Sequence, residues 1–487
     1  MKEGYYMEHT GHIKINRKNV PYHLVDDKVT LIPFDTYSAL IPSEIKEKEI
    51  IKGITTGNRE VAFLNCKYSS NRLAYQVLII SSCNTGLYEN ISSFDRICFE
   101  GKPVNVFAGP GRAYISEDGY DISERMKSIT PRNWDDLNVE TNLKIKNREM
   151  KLSIDYCIWH NKKFIETSMG EAIPRFCIEY KKTLSIKNIP AIYLQVYDFF
   201  SFLSFRRNVT FDKIYIQRKI EGKYAKVAEV IVNSKNFGDY NNTERNSIII
   251  DDCRKNFGDL FKCVAQRRSQ KIYDNFYIPK NGKESSQLTY EKFLSCALSL
   301  ESEYARLYPS KKDENEKFAY IQGLFQESAD KMDMLFALAA ENRISRDEFE
   351  KCFYGDVNSR LKIFLDSMSK TKAKSYQSYY VKIVDALSKI DYSLGEKYKN
   401  ALNIHMDLVK PVIDRMSSAN GVAFPSANEA GKIFADFRNG IAHGNPPDIE
   451  KIHCVLFEVA RALIYIMILK NAGIDEESIK NIVKKLF

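Results

Sequence analysis

The chain has 487 residues, of which 44% are hydrophobic and 28% are charged, and its formal net charge is +9. This balance is ordinary for a soluble globular protein, and the length allows two to four domains with cores of their own. The positive excess lies in residues 1–280, which hold 43 lysines and arginines against 34 acidic residues, whereas residues 281–487 hold 29 of each. The charge asymmetry therefore separates an N-terminal basic part from a neutral C-terminal part.

Ten cysteines are scattered along the chain without a C-x-x-C pair, and none combines with histidine at a zinc-binding spacing. They indicate reduced thiols rather than disulfides or a metal site. The first six residues, Met1-Lys-Glu-Gly-Tyr-Tyr6, lack the apolar core of a signal peptide. We therefore expect a cytoplasmic protein with no structural metal.

Residues 1–185 are expected to form a β-rich domain. Short alternating runs begin near His12, Lys28, Val61, Tyr75, Arg96, Met150 and Arg175, and glycine, asparagine and serine separate them. Many short strands of this kind predict a sandwich or a barrel-like sheet. The loop Gly109-Pro-Gly-Arg112 has the composition of a phosphate-binding loop, but such a sequence is more often a turn.

Residues 186–285 are expected to be a mixed α/β connecting region. An apolar segment with helical spacing runs from Ile189 to Phe205, and it is too short and too polar to span a bilayer, so it predicts a buried helix. A hairpin is expected around Glu221-Gly222, followed by a second helix from Cys253 to Gln270.

Residues 286–487 are expected to be an all-α bundle, which makes the whole chain α+β. Helical spacing predicts helices near 289–308, 313–341, 345–369, 374–391, 394–418, 427–443, 448–471 and 474–486. Pro411 should kink or split the helix around it. His405 has apolar neighbours at helical offsets and is predicted to be a core histidine. The apolar run Ala462–Leu469 predicts a central or dimer-interface helix rather than a membrane anchor.

The sequence marks both the start and the end of the helix predicted near 427–443. Ser426 is followed three residues later by Glu429, which is the pattern of a capping box and predicts the helix start. Gly444 stands where a C′ glycine is expected, and Pro446-Pro447 forbid continuation.

Three polar residues, Arg438, Asn439 and His443, lie at the closing end of this helix. Five steps of about 100° place Arg438 and His443 roughly 140° apart on an ideal helix. The two side chains therefore converge only if the last turn frays or if a partner surface closes over them. An ordinary helix end, with a surface arginine and a capping histidine, is the alternative interpretation.

The chemistry available to this pair is metal-free cleavage of RNA. An imidazole can take the proton from a ribose 2′-hydroxyl or give one to the leaving 5′ oxygen. A guanidinium can stabilise the charge that develops on the phosphate. Asn439 would hold substrate or orient the imidazole.

The stretch Arg438-Asn439-x-x-x-His443-Gly444 resembles the R-x4–6-H motif of the HEPN (higher eukaryotes and prokaryotes nucleotide-binding) superfamily. The form RNGIAHG, within long helices, is most similar to the ApeA-like HEPN proteins of bacterial anti-phage defence. Such proteins pair a β-rich N-terminal region with a C-terminal helical HEPN domain, which is the order expected here. The resemblance implies a homodimer, formed through the helical domain, whose two motifs meet and cut RNA to leave a 2′,3′-cyclic phosphate and a 5′-hydroxyl.

Two functions follow from these observations. The first is a metal-independent, cofactor-free HEPN endoribonuclease of an abortive-infection system, acting on RNA such as tRNA and released by a phage-derived trigger. The alternative is a non-catalytic HEPN-type module that dimerises or binds a nucleotide as a sensor or regulator. The combination of arginine, asparagine and histidine favours the nuclease. A non-catalytic module needs neither a group that transfers protons nor one that stabilises charge on a phosphate.

Further basic residues are candidates for RNA contacts. Lys370, Lys372 and Lys374 precede a cluster of tyrosines, a mixture that suits an unpaired RNA loop, although a solvated helix start is the more common case. Arg267 and Arg268 end a predicted helix and either contact RNA or lie favourably at its C-terminus. The basic excess of residues 1–280 either helps to hold RNA through phosphate contacts or only aids solubility.

Overall fold

The structure is a computed structural model that describes residues 8–32, 45–69, 71–84, 91–117, 128–133, 137–159, 171–233, 237–269, 278–282, 284, 288–308 and 393–487. The strands are β1 Glu8–Ile15, β2 Lys18–Val25, β3 Lys28–Leu31, β4 Lys46–Thr55, β5 Arg59–Ser69, β6 Arg72–Ala74, β7 Val77–Asn84, β8 Ser93–Glu100, β9 Tyr114–Glu117, β10 Ser128–Pro131, β11 Val139–Ile145, β12 Arg148–Trp159, β13 Glu171–Ser185, β14 Lys213–Ile220 and β15 Lys223–Val232. The longer helices are α1 Lys102–Ala108, α2 Ile189–Ser204, α3 Phe257–Ser269, α4 Tyr290–Leu307, α5 Leu394–Ile404, α6 Met406–Asn420, α7 Ala427–Ala442, α8 Lys451–Asn471 and α9 Glu476–Leu486. The architecture is α+β with a β-rich N-terminal part, which confirms the expected fold class.

The first six strands close into a β-barrel. The strand order β5-β4-β1-β2-β3-β6 returns to its start because β6 also pairs with β5. Alternate residues point inward, as the two-residue period of a strand requires, and they form a separate apolar core. Tyr22, Phe63 and Tyr75 meet edge-to-face in it, with ring centroids 5.6 and 5.3 Å apart. The barrel-like alternative of the sequence prediction is therefore correct.

The remaining part of the large sheet extends from the barrel in the order β7-β15-β14-β8-β13-β12-β11. One face of it carries the main core, where aromatic rings of the sheet pack against α1, α2 and α3. Phe176 of β13 lies 5.3 Å from Phe200 and 5.8 Å from Phe261, measured between ring centroids. The predicted buried helix at Ile189–Phe205 is thus α2, which lies on this face.

The predicted connecting region 186–285 does not stand apart from the sheet. Its hairpin, β14 and β15, turns at Glu221 and Gly222, whose φ angles are +51° and +82°. The hairpin lies between β8 and β7, so it joins the barrel to the rest of the sheet. The expected boundary at residue 185 therefore falls within one continuous set of hydrogen-bonded strands.

Helix α8 is the centre of the described helical part. Fifteen of its 21 residues are buried. The ring of Tyr465 stacks on Phe202 of α2 at 4.5 Å, and its hydroxyl donates to the Phe202 carbonyl at 2.9 Å. By length and composition α8 could cross a membrane, but 83% of its apolar window is buried inside the fold, which is the pattern of a core helix.

One predicted helix needed correction, together with the break expected inside it, and three predicted helices lie outside the described residues. The helix expected at 394–418 is divided at His405, which ends α5 and precedes α6, and Pro411 lies within α6. The break therefore comes six residues before the proline that was expected to cause it. The helices expected at 313–341, 345–369 and 374–391 fall outside the described part of the chain.

Candidate functional site

The start of α7 is fixed by the predicted capping box. The Ser426 hydroxyl accepts the backbone N–H of Glu429 at 3.4 Å, and the Glu429 carboxylate accepts the backbone N–H of Ser426 at 3.1 Å. The Ser426 hydroxyl also donates to the Glu429 carboxylate at 2.8 Å, and this bond, followed by the one from the Ser426 backbone, holds the pKa of that carboxyl below its usual value. The helix therefore begins at a defined residue, which sets the angular position of every later side chain.

The buried face of α7 packs closely on two neighbouring helices. A Cβ on Gly431 would lie 2.4 Å from the Gly395 carbonyl oxygen, so α5 and α7 touch backbone to backbone. Phe434 stacks on Tyr398 of α5 at 4.5 Å and meets Phe293 of α4 at 4.7 Å. This packing makes α7 a rigid support for the residues at its end.

The end of α7 is a Schellman turn, as the glycine predicted. Gly444 has φ +78° and donates to the Ile441 carbonyl at 3.2 Å, and Asn445 donates to the Gly440 carbonyl at 2.9 Å. A Cβ on Gly440 would lie 2.8 Å from Cδ of Pro447. The chain thus folds back over the last turn of the helix immediately after His443.

The three predicted catalytic residues lie at the surface of this turn. Arg438 is half-buried, and Asn439 and His443 are exposed. The Arg438 guanidinium donates to the Asn439 side-chain oxygen at 3.0 Å. Among the described residues, no hydrogen bond or ion pair joins Arg438 to His443. The structure therefore brings Arg438 and Asn439 together and leaves His443 without a side-chain contact to either.

His453 packs against α7 beside the candidate site, and the sequence analysis did not identify it. Its imidazole stacks on Phe437, the residue before Arg438, with ring centroids 3.9 Å apart and planes at 18°. Its Nδ1 accepts the backbone N–H of Glu450 at 3.0 Å, which caps α8. Burial, the larger cause, lowers the pKa of His453, and the nearby Glu450 carboxylate opposes it. A neutral histidine suits this contact, because protonated Nδ1 could not accept the bond.

The loop after His443 is tied to α4. The Tyr290 hydroxyl donates to the Pro447 carbonyl at 3.1 Å, and the Tyr290 ring lies 6.1 Å from that of Phe437. Helices α4, α7 and α8 therefore meet at the end that carries Arg438 and His443.

The structure assigns Arg267 a role other than RNA contact. Its side chain is 1% exposed and forms a bidentate ion pair with Glu303 of α4, at 2.9 and 2.6 Å. The remaining guanidinium nitrogen donates to the Cys263 carbonyl at 2.9 Å. This prediction was wrong, because a residue so enclosed offers no surface to a phosphate.

The other predicted RNA-binding residues are not tested by the structure. Lys370, Lys372 and Lys374 lie outside the described residues, as does the side chain of Arg268. Within the described part of the chain, no three His, Cys, Asp or Glu side chains are grouped as metal ligands.

His405 is a core histidine, as predicted. It is 3% exposed, and its Nε2 lies 2.8 Å from the Tyr308 hydroxyl. Burial lowers its pKa to about 4, with a smaller contribution from Lys470.

Comparisons with protein-family models, with curated proteins and with solved structures found no match.

Proposed function

We propose that the protein is a metal-independent HEPN-type endoribonuclease that uses His443 for proton transfer and Arg438 to stabilise the phosphate. The observation that supports this most strongly is the end of α7. There a histidine and an arginine, both accessible to solvent, extend from a helix that is capped at both ends and packed on two others. Such support is what a catalytic group requires, since small displacements of reacting groups cost much of the rate.

The proposed reaction is an internal transfer at one phosphate. His443 takes the proton from the ribose 2′-hydroxyl, whose oxygen attacks the adjacent phosphorus. The bond to the 5′ oxygen breaks, and the protonated imidazole returns the proton to that oxygen. The guanidinium of Arg438 lies against the charge that develops on the non-bridging oxygens. The products are a 2′,3′-cyclic phosphate and a 5′-hydroxyl, and neither a metal nor a cofactor takes part.

A second copy of the chain is part of the proposal. On an ideal helix Arg438 and His443 would lie about 140° apart, and within the described part of one chain no hydrogen bond or ion pair joins their side chains. A homodimer in which the two α7 ends face each other would bring His443 of one copy to Arg438 of the other. The hydrogen bond from Arg438 to Asn439 keeps that guanidinium at the surface where such a partner would lie.

The substrate and setting follow from the resemblance to ApeA-like proteins. We propose an RNA such as tRNA as the substrate, an abortive response to phage as the biological role, and a phage-derived trigger, because an unrestrained ribonuclease would damage its own cell.

The test is RNA cleavage by the purified protein in EDTA, with Arg438→Ala and His443→Ala beside the wild type. We expect each variant to lose at least about a hundredfold of activity, the scale of a lost general acid–base or charge-stabilising group. The matched controls are Arg415→Ala and His12→Ala, which remove exposed side chains of the same type outside α7. Both controls should cleave like the wild type.

Two results would contradict the assignment. One is cleavage that persists in folded His443→Ala. The other is no cleavage by the wild type, either alone or after incubation with an extract of phage-infected bacteria. The second result would favour the alternative, a non-catalytic module that dimerises or binds a nucleotide.

A further inference from the structure

A small cavity in the N-terminal part is lined by three arginines. Arg112, Arg132 and Arg254 surround a space of about 100 Å³ whose apolar wall is formed by Leu137, Val139, Ile154, Tyr156 and Ile250. The cavity lies within the N-terminal 280 residues, where the whole positive excess of the chain is found.

Each arginine reaches the cavity from a separate element of the fold. Arg112 belongs to the single helical turn Pro110–Ala113, which follows α1. Arg132 follows β10, and its backbone N–H donates to the Ala113 carbonyl at 2.9 Å, which fixes it beside that turn. Arg254 opens the short helical turn Arg254–Asn256 before α3. The three charges are therefore far apart in sequence and are brought together only by folding.

An acidic side chain lies in the same cavity. Asp251 forms a bidentate ion pair with the guanidinium of Arg112, with one bond of 2.6 Å from Nη1 to Oδ1. This carboxylate is a planar anion with two oxygens, which is the geometry that an arginine fork also offers to a phosphate. Asp251 therefore occupies both Nη atoms of Arg112, and a phosphate that used this fork would have to displace it.

Three guanidiniums, set against the carboxylates of Asp251 and of the nearby Glu244, leave an excess of positive charge around the cavity. Burial is the largest cause that lowers the pKa of Arg112, and the neighbouring guanidiniums of Arg254 and Arg132 lower it further, although Tyr156 and Glu244 act in the opposite direction. The same three guanidiniums oppose the effect of burial, which raises the pKa of the Tyr156 phenol. Arg112 is half-buried, whereas Arg132 and Arg254 are exposed. Like charges held close together are stabilised by an added anion.

We infer that the cavity formed by Arg112, Arg132, Arg254 and Tyr156 binds a phosphate group. Its volume is well below the range of about 300–1,000 Å³ that holds a drug-sized ligand, so it fits a phosphate but not an attached base and sugar. A phosphorylated ligand would place its terminal phosphate inside and the rest of the molecule outside. The inference is independent of the proposed ribonuclease activity, since none of these residues belongs to the α7 site.

The test is calorimetric titration of the full-length protein at constant ionic strength with inorganic phosphate, adenosine 5′-monophosphate and adenosine. We expect phosphate to bind and adenosine not to bind. Adenosine monophosphate that binds at least as tightly as phosphate identifies a nucleotide-type ligand, whereas binding of phosphate alone identifies the free anion. Either of these two outcomes supports a phosphate site, and the comparison shows whether the bound phosphate is the free anion or part of a nucleotide.

Variants of the lining test whether binding occurs in this cavity. Arg132→Gln and Arg254→Gln should each weaken phosphate binding about tenfold or more, as expected for a lost charge-assisted contact. Asp251→Asn should strengthen it, because the competing carboxylate is removed. Arg245→Gln is the matched control, since Arg245 is an exposed arginine of the nearby turn Glu244–Asn246 and does not line the cavity.

Two results would overturn the inference: no binding of millimolar phosphate by the wild type, or binding that Arg132→Gln and Arg254→Gln leave unchanged while both remain folded by circular dichroism. Neither result bears on RNA cleavage, which is measured separately.

Discussion

The buried ion pair of Arg267 with Glu303 joins α3 to α4 and so links the helices packed on the sheet to the C-terminal bundle. Both carboxylate oxygens and three guanidinium nitrogens are used, at distances of 2.6 to 2.9 Å. An ion pair of this kind is costly to desolvate, but it is still more costly to break on one side only, because the other charge is then left buried.

Arg267→Ala is therefore expected to lower the free energy of unfolding by about 3–5 kcal/mol. Arg306→Ala is the control, because Arg306 is 23% exposed and lies 3.7 Å from the same carboxylate, so its loss should cost about 1 kcal/mol or less. Urea unfolding followed by circular dichroism measures both. If the two variants lost equal free energy of unfolding, the burial of Arg267 would not explain the stability that its ion pair provides.

His405 makes stability depend on pH. Its pKa falls to about 4 in the folded protein, chiefly through burial, whereas the unfolded chain has the ordinary value of about 6.5. Between these values the unfolded chain binds a proton that the folded chain does not. The contribution of His405 is therefore complete above about pH 6.5 and is lost as the pH falls towards 4.

On this basis His405 should account for about 2 kcal/mol of the stability lost between pH 7 and pH 5. His405→Gln keeps a hydrogen-bonding side chain opposite Tyr308 but cannot titrate, so its stability should fall less over the same interval. Thermal unfolding of the wild type and of His405→Gln at pH 7 and pH 5 measures how much stability each protein loses over this interval. A variant that loses as much as the wild type would assign the acid sensitivity to other groups.

At the scale of elements, the end of α7 depends on two glycines for different reasons. Gly440 is required by a close approach, since an added Cβ would lie 2.8 Å from Pro447 and 3.0 Å from the Asn445 carbonyl oxygen. Gly444 is required by its φ of +78°, and an added Cβ there meets no other atom within 4 Å. The first glycine positions the loop, and the second only permits the turn.

Gly440→Ala is expected to displace the loop after His443 and, if the proposed function is correct, to reduce RNA cleavage by about tenfold or more. Gly421→Ala is the control, because Gly421 ends α6 at φ +64° with open space around it and lies away from the site. It should cost about 1 kcal/mol of stability and leave cleavage unchanged. Cleavage that is equal in both variants would mean that the loop does not position the catalytic residues.

Elements defined by local sequence were predictable. The capping box of Ser426 and Glu429, the terminal Gly444 and the Glu221-Gly222 hairpin all act within a few residues, and the structure has each of them. The exact break of the helix at 394–418 was not predictable, because the side chain of His405, which lies at the break, contacts Tyr308 just after α4. Its Tyr308 partner lies 97 residues away.

At the scale of the whole molecule, features that depend on contacts between residues far apart in the chain could not be predicted from the sequence. Closure of the barrel rests on the pairing of β6 with both β3 and β5. The stacking of His453 on Phe437 and the burial of Arg267 are likewise tertiary facts, since nothing near either residue distinguishes it from a surface residue. The same applies to the three-arginine cavity, whose members come from three separate parts of the chain.

The barrel-containing sheet is joined to the helical part of the molecule through the contact of α2 with α8. Tyr465 and Phe202 form this contact with a stacked pair of rings and a hydrogen bond. A continuous apolar core runs from the sheet into the helices that support α7. The candidate ribonuclease site and the arginine cavity therefore belong to one connected fold.

The most direct measurement of the central claim is the chemistry of the RNA ends produced by the wild-type protein in EDTA. We expect a 2′,3′-cyclic phosphate on the upstream fragment and a 5′-hydroxyl on the downstream fragment, because in the proposed reaction the 2′ oxygen attacks and His443 transfers the proton. A 3′-hydroxyl with a 5′-phosphate would show that water attacks instead, and it would contradict the role given to Arg438 and His443.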